Sequence, residues 1–274
     1  MTRTQSKADD LKKRGAAIVK GDLRDPESLE FALRGVTTVI SATHSMLGKG
    51  ENASDIVDDE GMRSLVDNAK IAGVANFIFV SVFGASLDHP IDFWRTKARM
   101  ERYVRESGMA YTIIRPTAFM EMHAQELIGK FVFKGQRVML FGAGRNPRNF
   151  VAAGDVAELV VRAVDDFGMR GEVIEIGGPE NLTDRQAIAA FERASGKKAK
   201  VTSIPLSFLK MVSLALGKIH PGISRIIRSG IVAETTDQMF DPGPYLSRTS
   251  LPLTKLEDFA RERFQSAGLQ TTKP

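Results

Sequence analysis

Residues 76–83, Asn-Phe-Ile-Phe-Val-Ser-Val-Phe, form a nearly unbroken apolar run between Gly73 and Gly84. A half-buried strand alternates apolar and polar residues, so a run of this kind must be covered on both faces. Parallel sheets flanked by helices provide that cover. On either side the chain alternates in the same style. A helix over 26–33 opens at Asp25-Pro26 and closes at Gly35, and a strand follows over 36–42. After the loop Thr-His-Ser-Met-Leu-Gly-Lys-Gly-Glu-Asn-Ala-Ser, a helix presents Met62, Leu65, Val66, Ala69 and Ala72 on one face and ends at Gly73. Before all of these, a short polar helix over 7–14 and a short strand over 16–19 are expected. Repeated strand–helix–strand units with short glycine-ended connections predict a doubly wound, mostly parallel α/β sheet of Rossmann-like type.

The next segment carries the chemistry. In Asp92–Ser107, Phe93, Lys97, Met100 and Val104 share one helical face, which Gly108 then ends. Lys97 therefore stands in an apolar line. Its stem is buried, and its ammonium needs a partner or must lose its proton. From spacing alone, a snorkelling lysine at the edge of a core helix is the ordinary account. Tyr111-Thr112-Ile113-Ile114-Arg115-Pro116 then reads as a strand stopped by proline.

Beyond Pro116 the pattern loosens. A helix over 118–128, a strand over 137–141, a loop Phe-Gly-Ala-Gly-Arg-Asn-Pro-Arg-Asn, and a helix capped by Asp155 are expected, then a strand over 172–176. Thr183-x-x-Gln186 and Thr254-x-x-Glu257 have capping-box spacing. Residues 204–219 are apolar enough for a core helix of a small C-terminal lobe. The expected division is a nucleotide-binding domain over 1–170 and a lobe over 171–274, with parts of 118–150 contributing to the lobe.

Composition sets outer limits. The 274 residues are 43% hydrophobic and 26% charged, which suits a globular chain with ample core. No apolar run approaches the roughly 18 residues of a membrane span, and the polar start is no signal peptide. There is no cysteine, so disulfides and thiolate chemistry are excluded, and a cytoplasmic setting is expected. The net charge of +5 is concentrated: between Arg193 and Ala233 there are eight lysines and arginines and no acid. Such a zone is a solvated face or a contact for an acidic partner or an anionic membrane surface. Nucleic acid is not expected, for no aromatic interleaving or reading module accompanies the charge. The four histidines lack ligand spacing for zinc, and Val80-Ser81-Val82-Phe83-Gly84 lacks the first glycine of a hydrolase nucleophile elbow.

A helix bearing a lysine, a Ser-Gly end, and a strand closing in Arg-Pro-x-x-Phe resemble the second half of the cofactor site in the NmrA-like group of atypical short-chain dehydrogenases. The resemblance runs from Met1 to about Phe259 and implies an NAD(P)H-binding oxidoreductase acting on a small carbonyl or conjugated substrate. It implies that Arg3 meets the adenosine 2′-phosphate, so NADP(H) is favoured over NAD(H), and that Asp22-Leu23 border adenine. Asp22 by itself is equally suited to cap the helix near Pro26. The resemblance sets Ser41-Ala42-Thr43 beside the nicotinamide ribose, Ser81-Val82 at the strand tip where ligands gather, and Pro116, Thr117 and Phe119 along the carboxamide. Lys97 would bind the ribose hydroxyls and favour a developing oxyanion.

The chain departs from the family pattern in two places. The tyrosine that precedes the family's lysine by four positions is Phe93 here, so the acid must come from elsewhere. Ser81 and the loop residue His89 are the candidates beside Lys97, His89 matching neutral pH best among Asp88, His89 and Asp92. The glycine-rich turn that holds the pyrophosphate is also missing, and Gly142-Ala143-Gly144 does not supply it. A start placed downstream of the true one, or a truncated gene, is the expected explanation, and it predicts an open edge on the strand at 36–42. A non-catalytic NAD(P)-sensing or assembly protein and an inactive truncated product are the alternatives to the enzyme.

Overall fold

A computed structural model describes residues 1–249 and 251–270. Ser250 and residues 271–274, which fall in the expected C-terminal lobe, lie outside the described residues. In chain order the helices and strands are α1 (Asp9–Lys13), α2 (Pro26–Ala32), β1 (Thr38–Ser41), α3 (Gly61–Ile71), β2 (Asn76–Val80), α4 (Asp92–Glu106) and β3 (Ala110–Pro116). There follow β4 (Ala118–Phe119), α5 (Lys130–Phe133), β5 (Arg137–Phe141), β6 (Arg148–Val151), α6 (Ala153–Asp165), β7 (Glu172–Ile176) and β8 (Asn181–Leu182). The last are α7 (Asp184–Ser195), β9 (Lys200–Ile204), α8 (Leu206–Leu216), α9 (Pro221–Thr235), α10 (Gly243–Thr249) and α11 (Leu256–Gln270).

The chain forms two compact units, Met1–Ile114 with Ala163–Val173, and Arg115–Arg162 with Ile174–Pro274. The crossings after Ile114, Arg162 and Val173 mean that neither is a continuous stretch.

A four-stranded sheet has the order β1-β2-β3-β7, with β1 parallel to β2 and β2 parallel to β3. This is the doubly wound α/β class expected. Every residue of β2 is buried, as an apolar run covered on both faces requires. Phe77 and Phe79 on it pack with Leu29, Leu65, Val66, Met100, Val104 and Ile113. Burying each phenyl contributes roughly 2–3 kcal/mol. Among the described residues, strand β1 lies at an edge of this sheet, the open edge expected of it.

Several local expectations are corrected. The strand over 16–19 is reduced to a single bridge between Thr2 and Lys20, with the Thr2 N–H donating to the Val19 carbonyl at 2.9 Å. The segment after Thr2 enters a 3-10 turn at Gln5, so the pairing does not continue as a ladder. Asp25, not Asp22, caps α2, accepting from the Ser28 N–H. Ahead of α3 a wide turn of π-helix runs over Asp55–Glu60. Gly108, at φ +84°, takes the left-handed turn that ends α4 and releases β3.

The second unit holds a three-stranded sheet β4-β6-β8 and a parallel pair β5-β9. Its core gathers Met120, Ile128, Val138, Leu140, Phe150, Phe191, Leu256 and Phe259. The stretch expected as a helix over 118–128 opens as β4 and then forms a π-helix over Met120–Gly129. There Gly129 lies so close to the Phe191 ring that an added Cβ would meet it at 2.4 Å. The glycine loop over 142–147 leads into β6 before any helix, and Asp155 lies within the first turn of α6, not ahead of it as a cap. Its carboxylate instead accepts from the Thr254 N–H at 2.8 Å and hydroxyl at 2.7 Å. That commitment removes Thr254 from the second expected capping box, and α11 starts later, at Leu256. The first box is formed: Thr183 and Gln186 cap α7 reciprocally. The helix α8 is not a core helix. Only Leu209 and Ser213 on it are buried.

Candidate cofactor and active site

The carboxyl-terminal tips of parallel strands expose carbonyls that no further strand residue uses, and α4 brings a cation to two of them. Lys97 is 4% exposed. Its Nζ donates to the Thr43 carbonyl just past β1 and to the Val80 carbonyl at the end of β2, both at 3.2 Å. The ammonium also lies over the Phe79 ring, 4.8 Å from its centroid, and 5.6 Å from that of Phe93. Phe79 comes from the fully buried strand β2, and Phe93 from the face that buries α4 through Phe93, Thr96, Lys97, Met100, Glu101 and Val104. Burial pushes the Lys97 pKa down to about 8, against the opposing pull of Asp58 and Glu101.

Those two carboxylates were not legible as site residues, because each becomes one only by folding. Asp58, buried in the π-helical turn, accepts from the Ser45 N–H at 2.9 and 3.1 Å and from the Ser54 hydroxyl at 2.5 Å. It thereby ties the 43–54 loop down beside Lys97. Burial raises its pKa, with the Ser54 hydrogen bond and the Lys97 charge opposing. Glu101 stands one turn after Lys97 and is 2% exposed. It accepts the Ser81 hydroxyl at 2.6 Å and faces Arg105 at 3.6 Å. An i, i+4 Lys–Glu pair on an otherwise apolar face is the signal that would have found it.

Ser81 is thus near Lys97 but committed to Glu101. Ser41 is buried on β1 with its hydroxyl toward the Met62 sulfur at 3.3 Å, while Ala42 and Thr43 are exposed at the tip. Val82 and Phe83 follow β2; the Phe83 carbonyl accepts from Trp94 Nε1 at 3.0 Å. His89 precedes α4 and stacks on Trp94, ring centroids 5.0 Å apart. Its Nδ1 accepts from the Ile91 N–H at 3.1 Å, which leaves Nε2 as the nitrogen able to pass a proton. Burial lowers its pKa. His44, next to Thr43, meets Phe93 edge-on at 6.3 Å. Though its residue keeps solvent contact, partial burial and then the Lys97 charge lower its pKa.

The residues expected around adenosine form a second group in the same unit. Arg3 Nη1 donates to Asn52 Oδ1 at 2.6 Å. Asp22 is held by Arg24, which also reaches Glu51, and the bond to Arg24 keeps the Asp22 pKa below the usual carboxylate range. Leu23 is buried against Gly61. Pro116, Thr117 and Phe119 belong to the second unit. There the Thr117 hydroxyl donates to Asn149 Oδ1 at 2.9 Å and Phe119 pairs with Val151.

A lysine ammonium has three N–H donors, and two of the three on Lys97 have protein acceptors. The remaining donor, at a strand tip in a sheet of this topology, suits a ribose hydroxyl. For the pyrophosphate half of a dinucleotide the chain offers no glycine-rich turn, so that half does not fit these residues by themselves. Among the described residues no group of three or more histidines and carboxylates is placed to hold a metal.

A parallel α/β sheet of this order, flanked by helices and with a buried lysine at its strand tips, defines a Rossmann-like protein. The chain belongs to the NmrA-like family, whose model matches residues 1–237. It is 31% identical over 221 residues to the NAD(P)H azoreductase of Xenophilus azovorans, covering 79% of this chain and 72% of that one. It is 32% identical over 212 residues to the photosystem II assembly factor Ycf39 of Guillardia theta, covering 76% of this chain and 66% of the relative. The NADPH-dependent quinone oxidoreductase QOR2 of Escherichia coli has the same fold. It superposes with a TM-score of 0.72 at 22% identity, covering 96% of this chain and 88% of that one.

Proposed function

We propose that this chain is an NAD(P)H-binding oxidoreductase whose Lys97 holds the nicotinamide ribose and favours negative charge on a small carbonyl or conjugated acceptor. The observation that carries this is the buried ammonium with two donors fixed on strand-tip carbonyls and no third hydrogen-bond acceptor among the described residues. At a pKa of about 8 the group stays mostly protonated at neutral pH and keeps the charge that a developing oxyanion needs. A nicotinamide cofactor supplies a hydride when bound. Arg3, at the adenosine end by resemblance, favours NADP(H), and a cytoplasmic setting belongs to the same proposal. His44 and His89, both on loops beside α4, are the groups with proton-transfer chemistry near neutrality. The azoreductase relative supports a redox role.

Two observations favour a second reading, a cofactor-sensing or assembly protein. Phe93 occupies the place of the family's tyrosine, and the Ser81 hydroxyl is taken by Glu101, so neither offers a ready proton. The assembly-factor relative points the same way. An inactive product is the third reading.

Titrating NADPH fluorescence against the purified chain separates the three. Saturable binding, weakened at least tenfold by Lys97→Met, together with oxidation of NADPH by a quinone or azo acceptor, supports the enzyme. Binding without oxidation supports the sensor. No binding of either nucleotide refutes both in favour of the inactive product, and binding indifferent to Lys97→Met refutes the role given to Lys97.

A further inference from the structure

Helix α8 turns its better-packed side inward. Leu209, with Leu206, Val212 and Leu216 partly buried, packs against Ile227 and Ile231 of α9. At 100° per residue, the positions left on the outer arc are 207, 208, 210, 211, 214, 215 and, past the helix end, 218. They include Phe208, Met211 and Leu214, respectively 51%, 59% and 81% exposed. Ile219, at the turn into α9, is 78% exposed, and Ile223 in the first turn of α9 is exposed as well. Sequence periodicity reads this stretch as core; the fold leaves its apolar outer arc uncovered by any described residue.

The tip is preformed. The N–H groups of Ile219 and His220 both bond back to the Leu216 carbonyl, at 3.0 and 2.8 Å, and His220 Nδ1 accepts from the Ile223 N–H at 3.3 Å. Pro221 then starts α9 with its fixed backbone angle. Lys210 and Lys218 lie on the same outer arc and form no ion pair among the described residues. Within 193–233 no acidic residue opposes them.

We propose that the α8–α9 hairpin is a docking surface for an anionic lipid bilayer, lying in the interface with Leu214 and Ile219 inserted and Lys210 and Lys218 at the headgroups. Three features select lipid over an acidic protein. The surface is an outward-facing helix and turn, with single aliphatic side chains projecting over about 16 Å of helix. Lysines are interspersed with these side chains, whereas protein interfaces exclude lysine from their apolar centres and favour tyrosine and tryptophan, of which 193–233 has none. Long lysine stems allow the ammonium to reach phosphate while the apolar neighbours go deeper. Among the described residues no helix is long and apolar enough to cross a membrane, so the contact is peripheral.

The test is vesicle flotation with the full chain. Vesicles of one-third phosphatidylserine in phosphatidylcholine should carry the protein upward, whereas pure phosphatidylcholine vesicles should not. The double variant Leu214→Ser/Ile219→Ser should lose at least tenfold in partition. Because both side chains are exposed, its thermal midpoint should match the wild type. Lys210→Gln/Lys218→Gln should lose roughly 25-fold, about fivefold per charge near an anionic surface, and high salt should mimic it. Failure to float with phosphatidylserine overturns the proposal. So does flotation that ignores the apolar double variant, since charge alone then explains binding. Concentration-dependent dimerisation in sedimentation equilibrium that the apolar double variant abolishes, without vesicle binding, assigns the face to a second copy and also overturns it.

Discussion

Replacing Lys97 by methionine tests the electrostatics of the site through stability, independently of any ligand. The buried lysine titrates at about 8 instead of 10.5. At 1.36 kcal/mol per unit, folding therefore disfavours its charged form by about 3 kcal/mol. Methionine has similar length and no charge, so it removes that cost, but it strips the donor from the Thr43 and Val80 carbonyls, about 1 kcal/mol each. The expected net gain for Lys97→Met is about 1 kcal/mol at pH 7.

The sign with pH follows from linkage. The folded pKa lies below the unfolded one, so between the two the unfolded chain holds more protons, and stability rises with pH. Wild type should gain about 2 kcal/mol from this residue between neutral pH and about pH 9.5, and the methionine variant none of it. The two stability curves should cross, with wild type the more stable by about 1 kcal/mol at the higher pH. Urea unfolding followed by Trp94 fluorescence is the assay. Trp94 is the chain's single tryptophan, it sits on α4, and its indole is bonded to Phe83, so it reports on the unit that holds Lys97. A variant destabilised equally at both pH values would refute the argument, because Lys97 would then be an ordinary paired ion.

Three further outcomes are expected. Ser81→Ala strips the 2.6 Å donor from the buried Glu101 carboxylate and should cost about 1–3 kcal/mol in the same Trp94 assay; a change below about 0.5 kcal/mol would mean the bond carries no weight. Phe93→Tyr, if the chain reduces any acceptor, should raise turnover by about a hundredfold or more by supplying a phenolic proton donor, measured as NADPH oxidation; unchanged turnover would show that another group already serves. Thr183→Ala removes the hydroxyl that caps α7 and should cost about 1 kcal/mol, read by far-ultraviolet circular dichroism during urea unfolding, whereas Gln186→Ala should cost less because the Thr183 bond remains.

The sequence carried the fold class because its signals are local. An eight-residue apolar run, glycines at the ends of helices, and Asp25-Pro26 each dictate conformation over a few residues, and β2, α4 and α2 formed where those signals lay. Lys97 was legible for the same reason: one charge on an apolar helical face demands a partner wherever it goes. Its partners were not legible, since the Thr43 and Val80 carbonyls, Asp58, and Glu101 with Ser81 meet only when two parallel strands align and a π-helical turn folds back. Likewise 16–19 has the composition of a strand, but a ladder needs a neighbour on each step, and Thr254 has capping spacing but bonds to Asp155, 99 positions away. Helix α8 marks the limit most clearly. Periodicity counts how many side chains are apolar, whereas which of them find cover is decided by the elements packed around them, and α9 covers only the inner arc. The sequence by itself thus determined the strand–helix alternation and the lysine in its apolar line; tertiary structure alone decided what the ammonium touches and which apolar face meets solvent, because both depend on contacts between segments far apart along the chain.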